Sequence, residues 1–557
     1  MHLQYHPVLT YSIYYPDKPV PGRNLDRLSG IDRDTIVKLL CRIKMTFSRE
    51  RHRDPNNPFI NWFIGLLPDG HAARMRAFLY GKNTAHFIAV PLTINQVLVD
   101  LMNEDNAANN EELDYPAYIS LAVLETLMIY NDHHFRSVVV SGREDNHDLL
   151  WELSLMQDLN GKNQASFVRT GMIKQAIFLG FLKQQLGEKY GEFANTLSAN
   201  LGIPELVSVA LLYVNLQLSQ DNRLAERDPL IAISPDDQAY TVIEKLNLVC
   251  EGQQNIPRHS IGNLMMKPFI RLSNNYLSFT GTHDFALISE VGWAHFLQKE
   301  GTLVSLLPNL KKDNQFWAWI GTYVEKFLLT TVFKTFHQIG LRVICSDDLK
   351  TPDITLILNE TDVFIIEIKS LTLHFKDWES QDLPAFKKYL IDSFISEKKG
   401  ANQLYKCLQH LANDPKGLFA LHKPLKKLKI YPVIVYTEPH ASTVAVNDFI
   451  IKNAPAIPDE LANQFGTIHP ITMIECDFFL ENSKVLREKK RLIKDAILHY
   501  HQTINLRKKK YQKANSTVNF SKAMETFDNI IIGYEGLYQQ DQMVIADEVK
   551  MMFNAVS

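Results

Sequence analysis

Cysteine is scarce and scattered in this chain. Cys41, Cys250, Cys345, Cys407 and Cys476 are the five present, and no two of them form a C-x-x-C pair. That spacing argues against a disulfide framework and a zinc ribbon, leaving reduced, mostly buried thiols as the expectation. Long apolar runs are also missing. The longest candidates, "YISLAVLETLMIY" and "VSVALLYVNLQL", fall short of the ~18 uncharged apolar residues expected of a membrane span. The N-terminal stretch "MHLQYHPVLTYSIYYPDKPVPG" lacks the basic start and apolar core of a secretory signal, so the expectation is a cytoplasmic protein with no membrane partner. No Gly-x-x-x-x-Gly-Lys-Ser/Thr loop occurs, which argues against a self-contained ATPase, and no repeat of fixed period is found.

What is present is the material of a soluble globular protein. Hydrophobic residues make up 46% and charged residues 22%, and 557 residues are enough for two or three ordinary cores. The net charge of -3 conceals an asymmetry. Residues 301–515 hold 30 Lys and Arg against 23 Asp and Glu, a surplus of seven positive charges, so the remainder has ten more negative charges than positive ones. The later part suits a polyanion better than the earlier part.

Periodicity divides the chain into four stretches. Residues 1–225 read as a mainly helical N-terminal region, as in "IDRDTIVKLLCRIKMTF" and "MIKQAIFLGFLKQQLGEKYGEF". Residues 226–305 form a mixed connecting region with short β-like runs, "PLIAISPDD" and "KPFIRLSNNYLSFTGTHDF". Residues 306–515 alternate helix and strand, with helices expected at about 315–338, 384–411, 443–453 and 483–510. Residues 516–557 form a tail with some helix and a short strand. The fold class expected is α/β: a mixed sheet flanked by helices, preceded by the helical region.

The chemistry gathers in "TPDITLILNETDVFIIEIKS", residues 351–370. Two apolar runs interrupted by Asn359-Glu360-Thr361-Asp362 read as a hairpin. Along a strand, alternate side chains share a face, so Glu367 and Lys369 project together while Ile368 points into packing. A turn centred on Glu360 and Thr361 brings Asp353 beside residues 367–369, and a shift of one residue puts it on their face. Two carboxylates and an ammonium then converge, a set suited to phosphodiester hydrolysis. The carboxylates can hold Mg²⁺, with Mn²⁺ as a substitute, and the lysine can orient or deprotonate the attacking water. At helical spacing Glu325 has Gly321, Leu328, Leu329 and Val332 as neighbours, and a carboxylate on that apolar face needs a metal or a cation.

These residues resemble the PD-(D/E)XK nucleases, whose core is restriction-endonuclease-like. Pro352-Asp353 corresponds to "PD" and Glu367-Ile368-Lys369 to "(D/E)XK". The resemblance implies a metal site of Asp353, Glu367, the Ile368 carbonyl and Glu325 on the first core helix, with Gln403 in "KKGANQLYKCLQHL" joining Asp353, Glu367, Lys369 and Glu325 as a catalytic residue. The subset with Q-x-x-x-Y departs here, because Cys407 stands where that pattern has tyrosine and Tyr405 is out of place. The resemblance covers about 315–480 and implies a DNA endonuclease in preference to an RNA enzyme, with a role in restriction or defence against foreign DNA.

The runs "HKPLKKLK" (422–429), "REKKRLIK" (487–494) and "RKKKYQK" (507–513) could follow a phosphate backbone, although any single run more often marks a solvated face. His147-Asp148, His283-Asp284 and Asp132-His133-His134 contain the residue types of a histidine-based phosphohydrolase without a complete ligand set. A non-catalytic module on a nuclease fold, binding nucleic acid or protein, is the main alternative. The helical region could receive an activator or partner protein, or a second copy of the chain.

Overall fold

The computed structural model describes residues 8–47, 58–80, 88–104, 116–139, 151, 164–201, 232–251, 260–280, 293–337, 341–346, 350–370, 383–397, 399–511, 522–538 and 551. Its described N-terminal part is helical, including Arg33–Phe47, Pro91–Asn103, Pro116–Val139 and Gln164–Leu186. No described helix is long and apolar enough to cross a membrane. The connecting region contributes a small sheet of β1 (Ala232–Ile233), β2 (Val249–Cys250), β3 (Phe269–Arg271) and β4 (Leu277–Phe279), in the order β1-β4-β3-β2.

The larger sheet contains β5 (Arg342–Cys345), β6 (Ile354–Leu358), β7 (Asp362–Lys369), β8 (Lys429–Tyr436), β9 (Thr467–Ile468) and β10 (Thr472–Glu475). Its order is β10-β8-β7-β6-β5, with β9 also paired to β8. β6 runs antiparallel to its neighbours β5 and β7, whereas β7, β8 and β10 are parallel. The coarse α/β, mixed-sheet class is therefore present. Every residue of β6 and β7 is buried, which fits a sheet covered on both faces and accounts for the near-continuous Ile, Leu, Val and Phe.

The strand period assigns the layers. Val363 and Ile365 face a core built with Phe386, Leu390, Leu404 and Leu408. Phe364, Ile366 and Ile368 face the opposite core, with Leu329, Val332, Phe333 and Ile497. Asp353, Glu367 and Lys369 have the parity of Ile357, Val363 and Ile365, so they belong to the first face.

The hairpin turn corrects one expectation. Leu358 pairs with Asp362 and Ile354 with Ile366, one residue away from the pairing given by a turn centred on Glu360 and Thr361. Asn359 and Glu360 take the left-handed conformation, with φ of 55° and 60°, and Thr361 N–H returns to the Leu358 carbonyl. Asp362 is the first residue of β7 instead of part of the turn.

Helix limits differ as well. The span 384–411 is two helices, Leu383–Phe394 and Ala401–Asn413, separated at Gly400 with φ 56°. The span 483–510 breaks into Ser483–Glu488 and Leu492–Tyr511, because the first helix ends at Lys489. In the described tail, 522–538, helix Phe527–Ile531 is present and no strand occurs.

Candidate active site

The register that buries the hairpin also assembles the charged group at its open end. With Ile354 opposite Ile366, the next positions in register are Asp353 and Glu367, then Pro352 and Ile368. Pro352 has no N–H to give the Ile368 carbonyl, so the regular ladder ends here. Asp353 Oδ2 accepts the Ile368 N–H at 2.8 Å instead. A residue's N–H and C=O leave a strand on the same side, so the Ile368 carbonyl also points to the side where Asp353 lies.

Glu367 and Lys369, two residues apart on one face, are joined directly: Lys369 Nζ donates to Glu367 Oε1 at 2.5 Å. Both are buried, Glu367 at 1% exposure and Lys369 at 8%. Gln403, on helix Ala401–Asn413, offers Oε1 to Lys369 Nζ at 3.4 Å. One turn further on, Cys407 is buried with its thiol pushed up, first by burial and then by the charges of Glu367 and Asp353. The cysteine at the departed tyrosine position therefore lies beside the carboxylates.

Glu325 arrives from the other layer of the sheet. The helix from Asp313–Thr322 does not continue as regular α-helix, because Tyr323–Leu328 is a π segment, followed by α-helix at Leu329–His337. Such a widened turn reorients the side chains it carries and recurs at functional sites. Glu325 Oε1 accepts from Ser370 Oγ at 2.9 Å, immediately beyond the end of β7. A Cβ on Gly321 would come within 3.2 Å of Ser370 Oγ, so glycine leaves room for this approach. The site thus lies at the edge where β7 ends and both layers meet.

The electrostatics are those of acids held too close in a dry place. Burial first, and then the Asp353 charge, pushes Glu367 from 4.5 up to about 8, with Lys369 opposing. Asp353 is also raised by burial, against the lowering by the Ile368 N–H and Lys369; Glu325 raises it and Lys326 lowers it. Glu367 Oε2 is buried and accepts from no donor, and a carboxyl-to-carboxyl hydrogen bond with Asp353 adds to the upward push on Glu367. A buried carboxylate oxygen without a donor, beside a second carboxylate, fits a hard divalent cation, which would relieve both the desolvation and the repulsion. Asp353 and Glu367 are the two carboxylates at this strand end, with the Ile368 carbonyl on the Asp353 side of its strand and Glu325 held one step away on Ser370; among the described residues no three His, Cys, Asp and Glu side chains form a metal-ligating group.

Of the residues expected from sequence, Asp353, Glu367, Ile368, Lys369 and Gln403 meet at the end of β7, whereas Glu325 reaches that end through Ser370. Ser370, Lys326 and Tyr323, which supports the π segment, were not anticipated. Only a tertiary view of the strand end could have found them.

The other candidates fall elsewhere. Asp132 Oδ2 accepts the Ser12 N–H at 2.6 Å and His133 Nε2 lies 2.8 Å from the Pro21 carbonyl, so both tie the N-terminal segment to helix Pro116–Val139. His147, Asp148, His283 and Asp284 lie outside the described residues. The basic run 422–429 leads into the start of β8, where Lys429 stands opposite Asp362, while Tyr436 stands opposite Lys369. That run is therefore at the far end of the sheet from the site. In the other runs, Lys494 pairs with Asp362, Lys508 with Asp448, Arg507 with Glu525 and Lys489 with Glu535. Part of the positive surplus is used inside the protein.

Comparison with protein-family models, curated proteins and solved structures found no match to this chain.

Proposed function

We propose that the chain is a Mg²⁺-dependent nuclease of the PD-(D/E)XK type, hydrolysing phosphodiester bonds in DNA. The observation that carries this reading is the convergence of the buried carboxyls of Asp353 and Glu367 with Lys369 at the end of one buried hairpin. Asp353, Glu367 and the Ile368 carbonyl would hold the cation, with Glu325 assisting. Bound there, Mg²⁺ supplies Lewis-acid polarisation of the phosphate and a more acidic water, and Mn²⁺ supplies the same chemistry.

The chain's own groups divide the remaining work. Lys369, oriented by Glu367 and Gln403, offers a cation to the charge that develops on the phosphate and positions or deprotonates the attacking water. In the hydrolysis, water forms a bond to phosphorus, the bond from phosphorus to one ester oxygen breaks, and that oxygen leaves with a proton. Glu325 anchors the chain just past β7 through Ser370, which fixes where Lys369 ends. The preference for DNA over RNA, and a role in restriction or defence, rest on the family resemblance.

The decisive experiment incubates linear and circular DNA, single- and double-stranded, with the purified protein and Mg²⁺, Mn²⁺ or EDTA. Cleavage is expected with either metal, none with EDTA, and at least a ~100-fold loss in Asp353→Ala and Lys369→Ala with folding retained. Opened circles would identify internal cutting. DNA binding without any metal-dependent product, unchanged in both variants, would replace this reading with the non-catalytic binding module.

A further inference from the structure

Helix Gln164–Leu186 belongs to the N-terminal region, yet it packs on the π segment that carries Glu325. The contact is specific. Tyr323, the first residue of the π segment and 1% exposed, donates its hydroxyl to the backbone carbonyl of Lys174. Its ring meets Phe178 at 5.0 Å and Phe181 at 5.4 Å, and Phe181 also meets Phe327 at 5.3 Å. Both ends of the π segment are thereby packed against one helix.

That helix is itself fixed to the sheet. Lys174 Nζ pairs with Asp477 Oδ1 at 2.7 Å, and Thr170 Oγ1 donates to Asp477 Oδ2 at 2.8 Å. Asp477 lies two residues past the end of β10, in the first turn of helix Cys476–Glu481. Lys174 and Asp477 are nearly fully buried, and a buried pair of this kind specifies one arrangement even where it adds little net stability. The path from β10 through Asp477, Lys174 and Tyr323 leads to the turn bearing Glu325, two residues on. A π turn costs regular hydrogen bonding and needs outside contacts to hold it in register.

We infer that Tyr323 is a positioning residue for Glu325, through which the N-terminal helix Gln164–Leu186 sets the metal affinity of the candidate site. The inference rests on the metal-dependent reading given above. It assigns part of the N-terminal region a direct task, as an outer support of a metal site. Loss of such a support typically weakens metal binding by about 10- to 100-fold.

The test is a double-mutant cycle read by calorimetric titration of Mn²⁺ into the full-length protein, without DNA. Tyr323→Phe, Glu325→Gln and the combined variant are compared with the parent, and thermal melting verifies that each is folded. Tyr323→Phe is expected to weaken Mn²⁺ binding by roughly tenfold, Glu325→Gln by at least as much, and the combined variant no more than Glu325→Gln alone. A merely structural tyrosine would instead lower the melting temperature and leave Mn²⁺ affinity unchanged. Unaltered affinity in Tyr323→Phe, or losses that multiply in the combined variant, would overturn the inference while leaving the metal site standing. If the parent binds no more Mn²⁺ than Asp353→Ala, the metal-dependent reading falls, and this inference with it.

Discussion

Glu367 is almost fully buried, and its acid dissociation is pushed from 4.5 up to about 8. Between those values the folded protein keeps a proton that the unfolded chain has released, so stability falls as pH rises through this window. The slope contributed by this group is at most about 1.4 kcal/mol per pH unit. Glu367→Gln removes the titrating group and keeps a similar shape. In EDTA, the difference in melting temperature between the variant and the parent should therefore widen in favour of the variant from pH 5 to pH 8. Parallel pH curves for the two proteins would show that Glu367 is not the proton-holding group. Because a cation competes with that proton, Mg²⁺ should stabilise the parent more at pH 8 than at pH 6 and should do little for Glu367→Gln.

Two elements position the site through backbone conformations that side chains resist. Gly400, with φ 56°, separates the helix carrying Gln403 from the one before it, and a Cβ there would lie 2.2 Å from the Phe394 carbonyl oxygen. Gly400→Ala is expected to cost about 3 kcal/mol in urea unfolding, and a cost under 1 kcal/mol would mean that this link relaxes freely. In the hairpin, Glu360 occupies a left-handed position at φ 60°, and its ion pair with Arg342, at 3.6 Å on the surface, offsets little of that strain. Glu360→Gly should stabilise the protein by about 1 kcal/mol with no change in cleavage. The hairpin and its charged end were legible because alternation and turn chemistry act over a few residues. The one-residue error in register arose because Thr361 and Asp362 resemble turn residues as strongly as Asn359 and Glu360 do. The π segment carries no residue signature, since "GTYVEKFLL" reads as ordinary amphipathic helix and only packing against Phe178 and Phe181 marks the widened turn.

At the scale of the whole molecule, the placement of positive charge decides how a polyanion would approach, and strand direction decides the placement. β7 and β8 are parallel, so the site at Lys369 shares an edge with Tyr436, while Lys429 and the exposed Lys423, Lys426 and Lys427 before it gather at the opposite edge. Eight residues of β8 separate the two edges by roughly 23 Å at about 3.3 Å per residue. No count of charge along the chain reveals this, because the sense of pairing between distant strands is a property of the folded sheet. Lys326 is different: it lies close enough to lower Asp353. A phosphate entering the candidate site would therefore meet Lys326 before it met the 422–429 run. Changing Lys423, Lys426 and Lys427 together to Ala should leave cleavage within about twofold and the salt dependence of DNA binding unchanged, whereas Lys326→Ala should reduce the slope of log affinity against log salt by about one. If the triple variant instead lost between two and three units of slope, DNA would have to wrap from the site to the far edge of the sheet, and the basic surplus would act as one continuous track.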